Sequence, residues 1–137
     1  MKYRIWAGLI LLMIGGALAS GQGKKTIRER KIASVTVQEY FLEEGMDEPV
    51  VESVETYDVH GELIELKEFN KEGEIKKWEK YGYDESGNLV EEVFLDEKGR
   101  ITRTEKTIYE EGLKVERQFY DDKGRLYKKK AYLYEYR

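Results

Sequence analysis

Five tetrads of the form Asx-x-x-Gly punctuate this chain: Asp58 to Gly61, Asn70 to Gly73, Asp84 to Gly87, Asp96 to Gly99 and Asp121 to Gly124. Asp or Asn at the first position bonds its own backbone two residues on, and Gly at the fourth tolerates positive φ. The product is a type I turn followed by a bulge, a common closure for a β-hairpin. A sixth turn, Tyr109-Glu110-Glu111-Gly112, is one residue shorter and lacks the Asx. Just before each Asx stands a large apolar residue, and just after each Gly an aliphatic one. These give the pairs Tyr57–Leu63, Phe69–Ile75, Tyr83–Leu89, Leu95–Ile101 and Tyr120–Leu126. No helical period produces that coincidence. The chain is expected to fold back on itself as successive antiparallel ribbons.

The turns also define a repeat. Gly61, Gly87 and Gly112 lie 26 and 25 residues apart, as do Gly73, Gly99 and Gly124. Three copies cover 61–86, 87–111 and 112–137, and residues 50–60 read as half of a preceding copy. Ile32 to Leu42, rich in β-branched and aromatic residues, adds a strand before the acidic loop 43–49. The expected fold is all-β: an antiparallel hairpin meander of about eight strands in a single curled sheet.

Taking Asp84 opposite Asn88, an uninterrupted register pairs Lys80 with Glu92 and Trp78 with Phe94. Strict alternation then puts Tyr57, Leu63, Phe69, Ile75, Tyr81, Tyr83, Leu89, Val93, Leu95, Ile101 and Tyr109 on one face. Leu66, Trp78 and Phe94 fall on the other. Neither face is uniformly apolar, which argues against a two-layer sandwich. At the shortened turn, either a bulge restores register or the last hairpin presents its opposite face. Lys128, Lys129 and Lys130 on the final strand suit a guarded edge.

The first nineteen residues differ from the rest. Lys2 and Arg4 precede an apolar run from Ile5 to Ile14, and Ala17-Leu18-Ala19 places small residues at the −3 and −1 positions of a cleavage site. This is the pattern of a secretory signal peptide, the run being short for a membrane span. Residues 20–31 are basic and poor in apolar side chains, and read as a flexible linker. Residues 32–137 form the repeat domain. With no Cys, an exported chain must rely on packing alone, which suits a bacterial envelope. The expected location is periplasmic or extracellular, with membrane contact only through an uncleaved signal sequence.

Residues 20–137 carry 22 basic and 28 acidic side chains, an acidic balance opposite to the footprint of a nucleic-acid binder. Absence of Cys removes thiolate metal sites and Cys nucleophiles, and the four serines lack any Gly-x-Ser-x-Gly context. Acidic doublets such as Glu91-Glu92 and Glu110-Glu111 alternate across a strand, so neither doublet forms an acid–base pair on one surface. Glu43, Glu44, Asp47 and Glu48 lack the spaced ligands of a calcium loop. His60, the only histidine, sits within a turn tetrad. No catalytic residue, metal or cofactor is expected. Leu66, Trp78 and Phe94 form the candidate stripe for a sugar ring or an extended polypeptide.

Tyr83-Asp84-Glu85-Ser86-Gly87-Asn88-Leu89 and Tyr120-Asp121-Asp122-Lys123-Gly124-Arg125-Leu126 resemble the YD repeat, Y-D-x-x-G-[RN]-L, of RHS-type bacterial surface proteins. Tyr57 to Leu63 is a looser match, and a weaker likeness is to variant MORN repeats. The YD resemblance implies a β-hairpin array. In long members such arrays curl into shells around another polypeptide, and carbohydrate binding is proposed for them; residues 50–137 are too few for a shell. The expected function is a secreted, non-enzymatic binding or structural module whose partner is an envelope protein or glycan. The alternatives are a small envelope enzyme using surface carboxylates on polysaccharide, or an assembly subunit pairing through sheet edges.

Overall fold

The computed structural model describes residues 21–45 and 48–137. The signal-peptide reading, with its cleavage residues Ala17 and Ala19, lies outside the described residues, and so does part of the acidic loop.

Within them the chain forms one open sheet of eight antiparallel strands in sequence order. These are β1 (Ser34–Glu39), β2 (Val50–Tyr57), β3 (Leu63–Phe69), β4 (Ile75–Tyr83), β5 (Leu89–Leu95), β6 (Ile101–Glu110), β7 (Leu113–Tyr120) and β8 (Leu126–Ala131). All five tetrads close hairpins by one set of bonds. At Asp84 the side-chain Oδ1 accepts from the backbone N–H groups of Ser86 and Asn88, both at 2.9 Å. Asp84 N–H donates to Asn88 O at 3.0 Å, and Gly87 N–H to Asp84 O at 3.0 Å. Asp58, Asn70, Asp96 and Asp121 repeat the arrangement. The five apolar pairs read from the sequence all face one another.

Beyond those pairs the expected register fails. Every return strand carries an extra residue: β2 at Glu52, β7 at Val115, and the other five just after the closing pair, at Ile64, Lys76, Val90, Thr102 and Tyr127. Lys80 therefore faces Val93 rather than Glu92, and Trp78 faces Leu95 rather than Phe94. Each bulge shifts the alternation by one and sharpens the local right-handed twist. The faces are redistributed. A tyrosine face carries Tyr57, Leu63, Leu66, Tyr81, Tyr83, Leu89, Phe94, Tyr109 and Phe119; a tryptophan face carries Phe69, Ile75, Trp78, Val93, Leu95 and Ile101. Burial agrees: among the described residues, every buried side chain apart from Ile27 belongs to the tyrosine face.

The shortened turn changes no face. Glu111 and Gly112 both take positive φ, 51° and 80°, as a two-residue type I′ turn requires. The deletion falls inside the loop, between the Glu110–Leu113 pair, so strand parity survives.

Residues 24–29 correct the linker reading. Lys24–Glu29 is a short helix, α1, whose Ile27 is fully buried against Tyr57, Leu63, Leu66 and Tyr81. It ends in a Schellman motif, Lys31 N–H to Arg28 O at 3.1 Å and Ile32 N–H to Ile27 O at 3.0 Å, with Lys31 left-handed at φ 54°. Composition misled here because one apolar residue suffices when it closes a prepared corner. Among the described residues no helix is long and apolar enough to cross a membrane.

Candidate functional site

The structure does not assemble the Leu66–Trp78–Phe94 stripe. Leu66 is buried on the tyrosine face beneath α1. Phe94 shares that face, two strands away, with Glu79 between them. Trp78 points to the opposite side, because it pairs with Lys67, the neighbour of Leu66. The bulges that separate them fall at Lys76 and Val90; only the second carries a sequence signal, the apolar doublet Leu89-Val90 where alternation allows one apolar residue.

On the tryptophan face, Trp78 is half-buried and held in place. Its indole N–H donates to Glu65 Oε1 at 2.6 Å, and the Lys67 ammonium lies 4.2 Å from the ring centroid. Gly99 of the next turn closes over the ring, its missing Cβ only 3.1 Å from Trp78 Cζ3. Leu95 and Ile101 continue the apolar surface beside it.

On the tyrosine face, bulge-corrected pairing unites groups that the sequence kept apart. Glu92 of β5 faces Glu105 of β6 directly. Arg117 of β7 bridges them, its Nη2 donating to Glu92 Oε2 at 2.9 Å and to Glu105 Oε2. Arg103 lies 3.0 Å from Glu105 Oε1 and stacks on Phe94 at 3.9 Å. Burial pushes the Glu92 carboxyl above its ordinary range despite Arg117. Burial opposes charge on Arg117 too, but Glu105 and Glu92 outweigh it and hold the guanidinium protonated. Two carboxylates in unlike environments are the raw material of acid–base chemistry. Here the arginine occupies the space between them, and the cluster reads as mutual neutralisation. Tyrosines deal similarly with other carboxylates: Tyr81 donates to Glu79 at 2.5 Å, and Tyr57 to buried Glu55. Burial raises the Tyr81 and Tyr83 hydroxyls well above their usual range, so both remain donors.

Two concavities flank α1. One, about 340 Å³, is lined by Ile27, Ile32, Ala33, Tyr57 and Val59. The other, about 510 Å³, lies between α1 and the turns at His60 and Glu85, with Tyr81 and Tyr83 among its lining. Lys24 closes it through an ion pair to Glu62. No protein-family model matches the chain, and no curated protein matches it.

Proposed function

We propose that this chain is an exported, non-enzymatic β-repeat module of the bacterial envelope that binds or braces a protein or glycan. The observation that carries the proposal is the treatment of its carboxylates: on the tyrosine face Glu55, Glu79, Glu92 and Glu105 are each tied to a tyrosine or arginine of the same face. Repetition of one hairpin supplies surface area rather than a reaction centre. The YD-like turns support the same reading, since hairpin arrays of that kind are scaffolds. The signal-like leader supports export.

Trp78 is the favoured contact. Its ring is fixed by Glu65, Lys67 and Gly99 and flanked by the half-exposed Ile101, the arrangement on which a sugar ring or an extended peptide stacks. Cross-linking in the native envelope tests it: Trp78→Ala is expected to lose the captured molecule, whereas Phe94→Ala keeps it. Capture that survives Trp78→Ala removes the tryptophan face from consideration. One observation favours the enzymatic alternative, the direct opposition of Glu92 and Glu105. Polysaccharide hydrolysis by the purified chain, abolished by Glu92→Gln or Glu105→Gln, would establish that alternative.

A further inference from the structure

Resting on the non-catalytic reading but naming its partner, we infer that copies of this chain join head to tail, the β8 edge of one pairing antiparallel with the β1 edge of the next. Among the described residues the sheet has two open edges. β1 bonds only to β2 and β8 only to β7, and each strand is six residues long. Edges left open in monomers are usually guarded by lysine, proline or a bulge that twists them away. β1 reads Ser-Val-Thr-Val-Gln-Glu, without lysine or proline, and the one bulge of its ladder, opposite Val37 and Gln38, places its extra residue, Glu52, on β2 rather than on the edge strand. β8 carries three lysines, and all six of its residues are exposed.

Charge then selects the pairing. Residues 34–57, the β1–β2 hairpin with its loop, hold seven acidic and no basic side chains. Residues 113–131, the β7–β8 hairpin, hold seven basic against three acidic. Two β1 edges repel each other, as do two β8 edges; β8 against β1 attracts. The lysines therefore guard β8 against its own kind and not against β1.

Topology permits the contact without strain. Eight is even, so β8 runs opposite to β1 in a strict meander. A second copy displaced across the sheet, without being flipped, presents β1 antiparallel to β8 with its tyrosine face on the same side. Such a contact is heterologous and leaves a fresh edge at each end, so it repeats. Each junction amounts to one more hairpin lacking its turn.

Sedimentation velocity on the protein purified after expression of the full sequence tests this. The expected result at low salt is a mass that grows with concentration past the dimer. Raising salt should reverse it, because the Debye length falls from about 10 Å at 0.1 M to about 3 Å at 1 M. Lys128→Glu with Lys130→Glu, and separately Gln38→Lys with Glu39→Lys, should each stay monomeric, and mixing the two variants should restore growth. The mixture distinguishes lost pairing from lost folding. A wild-type chain monomeric at every concentration, growth that halts at a dimer, or a mixture that stays monomeric overturns the inference. Retained Trp78-dependent capture by a strictly monomeric chain would leave the proposed function standing while this inference fails. Polysaccharide turnover would sink that function whatever the mass.

Discussion

The same hairpin is used at both ends of this molecule, with opposite results. At the β2–β4 end, α1 lies on the tyrosine face and turns Tyr57, Leu63, Leu66 and Tyr81 into a small core closed by Ile27. At the β6–β8 end the face has no such cover among the described residues. Phe119 is buried there beneath side chains of charge, with Lys128 at 4.8 Å and Arg117 at 5.5 Å from its ring. Turn geometry does not register the difference: the side-chain bonds at Asp58 and Asp121 are all 2.9 Å. Turn chemistry is thus settled within five residues, whereas burial depends on what the rest of the chain lays over the sheet. One end is stabilised by apolar packing, the other by cations on aromatic rings and paired charges.

The contrast breaks most sharply at Ile27. Ile27→Ala should destabilise the protein by about 2–5 kcal/mol, the usual range for a buried isoleucine, whereas the half-exposed Leu126→Ala should shift it by less than about 1 kcal/mol. Denaturant titration of both variants checks the difference; equal losses would mean that α1 adds no core. Next come two glycines with the same left-handed backbone, φ 81° at Gly61 and 74° at Gly124. Gly124→Ala meets no atom within 4 Å and should cost about 1–2 kcal/mol from its φ alone. Gly61→Ala would drive its Cβ to 2.6 Å from the Lys24 carbonyl oxygen, so it should cost more and release α1. Amide exchange at Ile27 and Ile32 would rise in the second variant only.

A smaller effect concerns Glu92. Its carboxyl is raised in the folded protein, first by burial, so folding favours its neutral form. The stability it allows is fully present below the unfolded pKa and is lost as pH rises through the folded one. Glu92→Gln should therefore match the native chain in acid and exceed it at neutral pH, with Glu105 still pairing Arg117. Thermal melts across pH 3–8 provide the check, and a loss at neutral pH refutes it.

The turns should show the opposite sign. Asp84 is lowered chiefly by the Asn88 side chain, and Asp96 and Asp121 chiefly by the backbone N–H groups of Arg100 and Arg125. A depressed carboxyl contributes stability above its unfolded pKa and loses it as pH falls through the folded one. Asn70 makes the same turn without a titrating group. On acidification the amides at Ser86, Lys98 and Lys123 should lose protection before that of Glu72. Simultaneous loss at all four would show that the caps are not the acid-sensitive element.

Much of this could be read in advance. Asx and Gly spacing fixed the strands, their order and the five closing pairs, because each turn's hydrogen bonds lie within five residues. The candidate stripe was illegible for a related reason. A bulge is marked at most by an apolar doublet such as Leu89-Val90, so extrapolating from Tyr83–Leu89 to Trp78 crossed a change of parity at Val90. The Glu92–Glu105–Arg117 cluster was hidden behind the corresponding bulge at Thr102. The helix at Lys24–Glu29 was missed because its basic composition resembles a solvated arm, and its single anchor finds its place only where β2, β3 and β4 meet.

By itself the sequence determined where the chain turns and that it meanders, since those outcomes rest on backbone bonds between near neighbours. Only the tertiary structure decided which side chains share a face and which end is covered. Those outcomes depend on a bulge repeated in every return strand, and on Ile27 reaching Tyr57, Leu63 and Tyr81 from far along the chain.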